Sequence, residues 1–223
     1  MNGYLRLFDR ALVLAAIVHH DLPRKGTAIP YLIHPVHVAT ILLRHGYGDT
    51  LAVAALLHDV LEDIDYDNGR AQLAIRSAFP RAGLPDAILT GEAFLTAFDA
   101  FLAAEFPADV LSLVRAVTEP SSSESPVRSW ADRKTDTLAR LAEAPHDVVV
   151  LKSADALHNV RSIVEDIDHH GATVLGRFKA APADTLWYYE GVAGHSRARL
   201  DNAPIALELT DATRALATIV RPA

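Results

Sequence analysis

The 223-residue chain contains no cysteine. Disulfides and thiolate metal sites are therefore excluded, any metal must be held by nitrogen and oxygen, and a cytoplasmic setting is the simplest expectation. Long apolar runs are missing as well. Although 50% of the residues are hydrophobic, the runs are too short and too interrupted to cross a bilayer, which points to a soluble globular protein with no membrane partner. The opening stretch MNGYLRLFDRALVLAAIVHH has an apolar segment, but it lacks a clean basic region before it and a small-residue cleavage pattern after it. No export signal is expected. Positive charge is also scarce: 21 Lys and Arg face 28 Asp and Glu, a net charge of −7 with histidines neutral. A protein that tracks phosphates along a polymer presents a basic face, so no nucleic-acid partner is expected, whereas a small phosphorylated ligand needs only a local basic cluster.

Strand-like alternation and internal repeats are equally hard to find, and helical spacing dominates. The pattern predicts helices from about Tyr4 to His20, from near Pro35 to the Gly46/Gly48 stop, and from Asp49 or Thr50 to Ile64 with Asp49 as a cap. Beyond DIDYDNGR it predicts a short helix over Ala71 to Phe79, a helical stretch to Phe106, and another from about Pro107. EPSSSESPVRSW reads as a solvated loop, followed by helices from Ser129 or Trp130 to Leu141, His146 to Asp168, Asp184 to Arg199 and Pro204 to Ile219. The expectation is one all-α domain over residues 1–223, packed helix on helix as a bundle.

Three stretches carry chemistry. In LLHDVLED, residues four apart stack on a helix, so His58 is expected over Glu62 and Asp59 over Asp63 as a continuous polar stripe among leucines and valines. Ionisable groups are rarely buried without a partner, and one divalent cation would supply it. His146-Asp147 is an internal control: the same dipeptide opens a helix with no carboxylates one turn later, and there Asp147 reads as a first-turn charge favourable to the helix dipole. In VVVLKSADALHNVRS, Lys152, Asp155, Asn159 and Ser162 recur on one helix face with His158 beside them. In PRKGTAIPYLIHPVHVA, a Pro/Gly-bounded loop carries two basic residues and His34 precedes Pro35 at a helix start.

Taken together these stretches give the ordered pattern H…HD…D, and the sequence resembles the HD-domain phosphohydrolases. The match is closer to their RelA/SpoT-type hydrolase branch and the stand-alone small alarmone hydrolases, including the metazoan SpoT homologues. RKGTAIPYLIHP, AALLHDVLED, LVRAVTE, LKSADALHNVRS and the later GRFKA…TLWYYE carry the resemblance, over roughly Val13 to Ala193. An HD dipeptide alone is a weak signal; this ordered set is specific.

The resemblance implies an HD-domain helical bundle in which His34, His58, Asp59 and Asp155 hold a metal, usually manganese, although another divalent ion is compatible. It implies that Glu62 and Asp63 position or activate water and move protons, without saying which of them acts on the water. Arg24, Lys25, Asn159 and Ser162 would contact the nucleotide, Ser162 standing where several relatives have threonine. Lys152 would meet phosphate or form a salt bridge within the fold. The implied reaction is hydrolysis of the 3′-diphosphate of a guanosine or adenosine alarmone. Alternatives are an HD-type enzyme acting on another nucleotide (NADPH phosphatase, 5′-nucleotidase or dNTP hydrolase) and a non-catalytic nucleotide sensor. The stretch at about 81–106 is longer than in compact relatives and is read as a lid, an oligomer contact or, preferably, extra core. Trp187, Tyr188 and Tyr189 are expected to pack the carboxy-terminal helices onto the domain, and His19, His20, His169 and His170 are not expected to be ligands.

Overall fold

In a computed structural model, residues 3–64, 69–81, 84–119 and 128–221 are described, residues 3–5 by their backbone alone. Most of the expected loop between Glu119 and Trp130 and residues 65–68 of DIDYDNGR lie outside the described residues.

The described chain is helical and contains no strand; one isolated antiparallel bridge pairs Pro23 with Pro30. In order, the helices are α1 (Gly3–Val18), α2 (Ile33–Arg44), α3 (Asp49–Leu57), α4 (Val60–Asp63), α5 (Gly69–Ala78) and α6 (Gly91–Glu105). They continue as α7 (Ala108–Val117), α8 (Trp130–Glu143), α9 (His146–His170), α10 (Pro182–Arg199) and α11 (Pro204–Val220), with a 3₁₀ segment at Ala172–Arg177. None is long and apolar enough to cross a membrane.

The apolar spacing explains the arrangement. Every residue from Leu51 to Leu57 in α3 is buried, so α3 has no solvent face and lies inside the bundle between α1, α2 and α7. α9 is the second internal helix: its run from Val148 to Leu151 is buried, and it packs against α2, α7, α10 and α11. The site described below lies where these two core helices meet α2. At α6, Phe94, Phe98 and Phe101 are almost fully buried, and Phe101 meets Phe79 edge-on at 5.2 Å between ring centres. Such aromatic pairs add about 0.5–1.5 kcal/mol to their burial.

Three expectations need correction. The helix expected to run unbroken to Ile64 stops at Leu57: Asp59 takes φ −98° and ψ −3°, and α4 restarts at Val60, with the Asp59 carbonyl accepting from the N–H groups of Glu62 and Asp63. The His58 ring also claims the Ala55 carbonyl at 2.7 Å, a competitor for helical hydrogen bonding. Gly48, not Asp49, occupies the cap position of α3, and Asp49 is a first-turn charge. Trp187 is 40% exposed, so of the aromatic trio it is Tyr188 that is buried in the core.

Candidate metal and nucleotide site

The loop before α2 is held as a tight hairpin, in which the Arg24 N–H donates to the Ile29 carbonyl at 2.7 Å and the Tyr31 N–H to the Leu22 carbonyl at 2.7 Å. Gly26 turns the chain at φ +73°, and a Cβ there would lie 2.3 Å from the Arg177 side chain, so only glycine fits without displacement. This loop presents Arg24 and Lys25 and delivers Tyr31 and His34 to the interior.

Buried His34 on α2 and buried His58 at the end of α3 face each other, with their Nε2 atoms 3.2 Å apart. Asp59 Oδ2 lies 3.1 Å from His58 Nε2 and 3.5 Å from His34 Nε2. From α9, Asp155 Oδ1 approaches His34 Nε2 at 3.2 Å and His58 Nε2 at 3.9 Å. His34, His58 and Asp59 form the tightest group, a candidate divalent-metal site, and Asp155 closes it from the opposite helix.

The donor chemistry fits a cation. His58 Nδ1 donates to the Ala55 carbonyl, so neutral His58 turns a bare nitrogen lone pair toward the same point as the carboxylate oxygens. Donors spaced this way can all stand about 2.1 Å from one ion, a normal metal–ligand distance. An all-nitrogen and oxygen set suits a hard or borderline divalent ion. The electrostatics point the same way. Burial disfavours a charged His58, but Asp59 and Asp155 outweigh it and raise its pKa to about 9. Burial opposes ionisation of Asp59 too, yet the His58 charge holds that carboxyl well below the usual carboxylate range. Two carboxylates, buried Asp155 and half-buried Asp59, surrounding two imidazoles thus demand positive charge at their centre.

Supporting groups surround this centre. Tyr31 donates its hydroxyl to Asp59 Oδ2 at 2.6 Å, and burial followed by the Asp59 charge raises the Tyr31 pKa, so it remains a donor. Lys152 Nζ donates to Asp155 Oδ2 at 2.8 Å, and Asn159 Nδ2 donates to Asp155 Oδ1 at 2.7 Å. Arg24 Nη2 in turn donates to Asn159 Oδ1 at 3.2 Å, which links the loop to α9. Lys152 therefore makes the internal salt bridge, one of its two expected roles.

Glu62 and Asp63 are neighbours on α4, and consecutive helical residues point about 100° apart, so they meet different partners. Glu62 Oε1 accepts from the Glu119 N–H at 2.7 Å; the residue is exposed, and partial desolvation of its carboxyl followed by the Asp59 charge raises its pKa toward about 7, an effect that solvent around the exposed side chain weakens. Asp63 Oδ2 instead lies 3.4 Å from Nδ1 of buried His19. The Asp63 N–H still donates to the Asp59 carbonyl at 3.0 Å, so these two residues remain one turn apart as the four-residue spacing implies.

Two cavities lie along α9. One of about 220 Å³ is lined by Lys25, Lys134, Lys152, Lys179, Asp155 and Asn159 among others, with Lys25 Nζ 5.5 Å from the Phe178 ring centre. A larger one, of about 550 Å³, has Arg24, His37, Arg44, His158, Arg161 and Ser162 in its wall. Lys25, Lys152 and Asn159 thus share one cavity, whereas Arg24 and Ser162 line the other. Sequence reasoning missed Lys134, Lys179, His37 and Tyr31; for Tyr31 the only local hint was its position three residues before His34.

Residues 11–84 match the family model described as HD domain. The chain is 30% identical over 159 residues to a Streptomyces coelicolor protein named GTP pyrophosphokinase, covering 71% of this chain and 15% of that one. It is 26% identical over 170 residues to the Borreliella burgdorferi guanosine-3′,5′-bis(diphosphate) 3′-pyrophosphohydrolase, covering 73% of this chain and 20% of that protein. The chain thus spans only a minor part of the length of these relatives. In structure it resembles a metazoan orthologue of SpoT that hydrolyses ppGpp, with a TM-score of 0.62 and 24% identity over 93% of this chain and 94% of that one. A Listeria monocytogenes protein matches with a TM-score of 0.57 and 24% identity, over 84% of this chain and 99% of that one. Residues 11–84 thus match the HD domain, and the chain is similar in sequence to these pyrophosphokinase and pyrophosphohydrolase proteins and in fold to the metazoan orthologue of SpoT.

Proposed function

We propose that this protein hydrolyses the 3′-diphosphate of guanosine alarmones, converting (p)ppGpp to GDP or GTP and pyrophosphate, with adenosine alarmones as close substrate candidates. The observation that carries the reading is the convergence of His34, His58, Asp59 and Asp155 on one point. The names of the relatives support it.

In this reading His34, His58, Asp59 and Asp155 hold one divalent ion, manganese by family resemblance. That ion, when bound, supplies charge for the phosphoryl oxygens and a water of lowered pKa. Lys152 and Asn159 hold both oxygens of Asp155, and Tyr31 holds Asp59, so the carboxylates are oriented before substrate arrives. Water adds to the phosphorus bonded to O3′, the O3′–P bond breaks, and O3′ gains a proton as pyrophosphate departs. With its pKa near 7, Glu62 exchanges protons with water or the departing oxygen at little cost, while Asp63 keeps the neighbouring His19 contact.

The lysine-lined cavity suits phosphate groups, and Lys25 and Lys179 supply a local positive field in an acidic protein, Lys134 being paired with Glu119. The larger cavity, with Ile29, Ile33 and Ile41 beside Arg24 and Ser162, suits the nucleoside. The test is a panel of guanine and adenine alarmones, NADPH, dNTPs and 5′-nucleotides incubated with the protein and Mn²⁺. Pyrophosphate and GDP from ppGpp are expected. Tight ppGpp binding without product would overturn the reading in favour of a sensor, and product from another member alone would reassign the substrate.

A further inference from the structure

We propose that His158 and His37 extend His34 into a directional chain of three imidazoles, which fixes His34 as an Nε2 metal donor and makes His37 a hydrogen-bond donor to the larger cavity. The proposal rests on the metal-site reading above. His34 Nδ1 lies 2.7 Å from His158 Nδ1, and His158 Nε2 lies 3.1 Å from His37 Nδ1. The rings are tilted by 50° and 65°, with centres 4.8 and 5.1 Å apart, so the contacts are edge contacts between nitrogens and not stacking. His34 and His37 stand one turn apart on α2, and His158 reaches between them from α9.

Each of these contacts needs one proton between two nitrogens, and the metal site decides where it sits. His34 Nε2 points at Asp59 Oδ2, Asp155 Oδ1 and His58 Nε2. A neutral His34 that ligates through Nε2 carries its proton on Nδ1 and donates to His158 Nδ1. The single proton of neutral His158 is then on Nε2, which donates to His37 Nδ1. His37 is left with its proton on Nε2, and its ring lines the larger cavity with Arg24 and Ser162. One condition at the metal thus sets the polarity of a side chain beside the proposed nucleoside. Ligating histidines usually rely on a carboxylate, backbone carbonyl or water for this support, and such partners contribute about 10–100-fold to metal affinity.

The test uses the full chain. In the Zn²⁺-loaded protein with ¹⁵N-labelled histidine, long-range ¹H–¹⁵N correlation should find His34 protonated on Nδ1 and both His158 and His37 on Nε2. His34 protonated on Nε2, or His158 on Nδ1, would overturn the proposal. In Mn²⁺ titrations, His158→Ala should weaken binding by about 10–100-fold, whereas His158→Asn, whose Oδ1 stands near the position of Nδ1, should restore most of it. Should His158→Ala fail to fold, the tautomers and the Asn variant still decide, because an Asn variant as weak as a His34→Ala control would contradict acceptance at this position. Retained affinity in His34→Ala would refute the metal-site reading itself. Loss in that control with full affinity in a folded His158→Ala would refute the imidazole chain alone.

Discussion

Removal of the Asp155 charge should destabilise the metal-free protein through Lys152. The two form a 2.8 Å ion pair with side chains only 11% and 13% exposed, and Asp155 also accepts from Asn159. Loss of one partner of a buried pair leaves an uncompensated charge and costs about 3–5 kcal/mol. Here the lower end applies, because Glu62 remains near Lys152 and repulsion between Asp155 and Asp59 is relieved. With an unfolding entropy of about 2.1 cal/mol/K per residue, a 223-residue chain loses about 6 °C of Tm for about 3 kcal/mol. Thermal unfolding in EDTA should therefore place Asp155→Asn about 6 °C below the parent, and adding Lys152→Met to it should recover most of that loss. Added Mn²⁺ at about 100 times Kd should raise the parent by a further ~2.7 kcal/mol and leave the variant nearly unmoved. A metal-free Asp155→Asn that melts with the parent, or a double variant less stable than the single one, would refute the reasoning.

Two more outcomes follow from the surrounding groups. Glu62 has a pKa raised to about 7 without a bound ion, and a cation nearby draws it lower. As the base that takes a proton from the attacking water, Glu62 must be ionised, so activity should fall on acidification through a limb below pH 7. Glu62→Gln should cut turnover more than metal content and abolish that limb, whereas equal loss of both would recast Glu62 as a ligand. Tyr31→Phe removes the 2.6 Å bond to Asp59 Oδ2 and should weaken Mn²⁺ binding by about tenfold; unchanged affinity in a titration would mean that Asp59 is oriented by its other contacts.

The sequence was most legible where a signal was local. The apolar run of α3 and the long α9 appear as periodicity, and Gly171 stops α9 close to the expected place. The HD dipeptide, His34 and Asp155 were visible as an ordered set. The break after Leu57 was not, because it depends on a ring of His58 that competes for a backbone carbonyl inside a segment with helical spacing throughout. Glu62 and Asp63, adjacent on the α4 that follows, turn toward Glu119 and His19 because consecutive helical residues point about 100° apart. The contact of His34 with His158 spans 124 positions, and no local pattern encodes it. Tyr31 acts through a loop conformation set by the Pro23–Pro30 bridge and Gly26, which spacing rules for helices do not address.

The most direct test of the central claim is the time course of pyrophosphate release from ppGpp by protein first stripped with EDTA and then resupplied with Mn²⁺, alongside Asp59→Ala. Release that is absent after stripping, restored by the ion and lost in the variant is the predicted result. Release that persists without a divalent ion, or that survives Asp59→Ala, would contradict the assigned site.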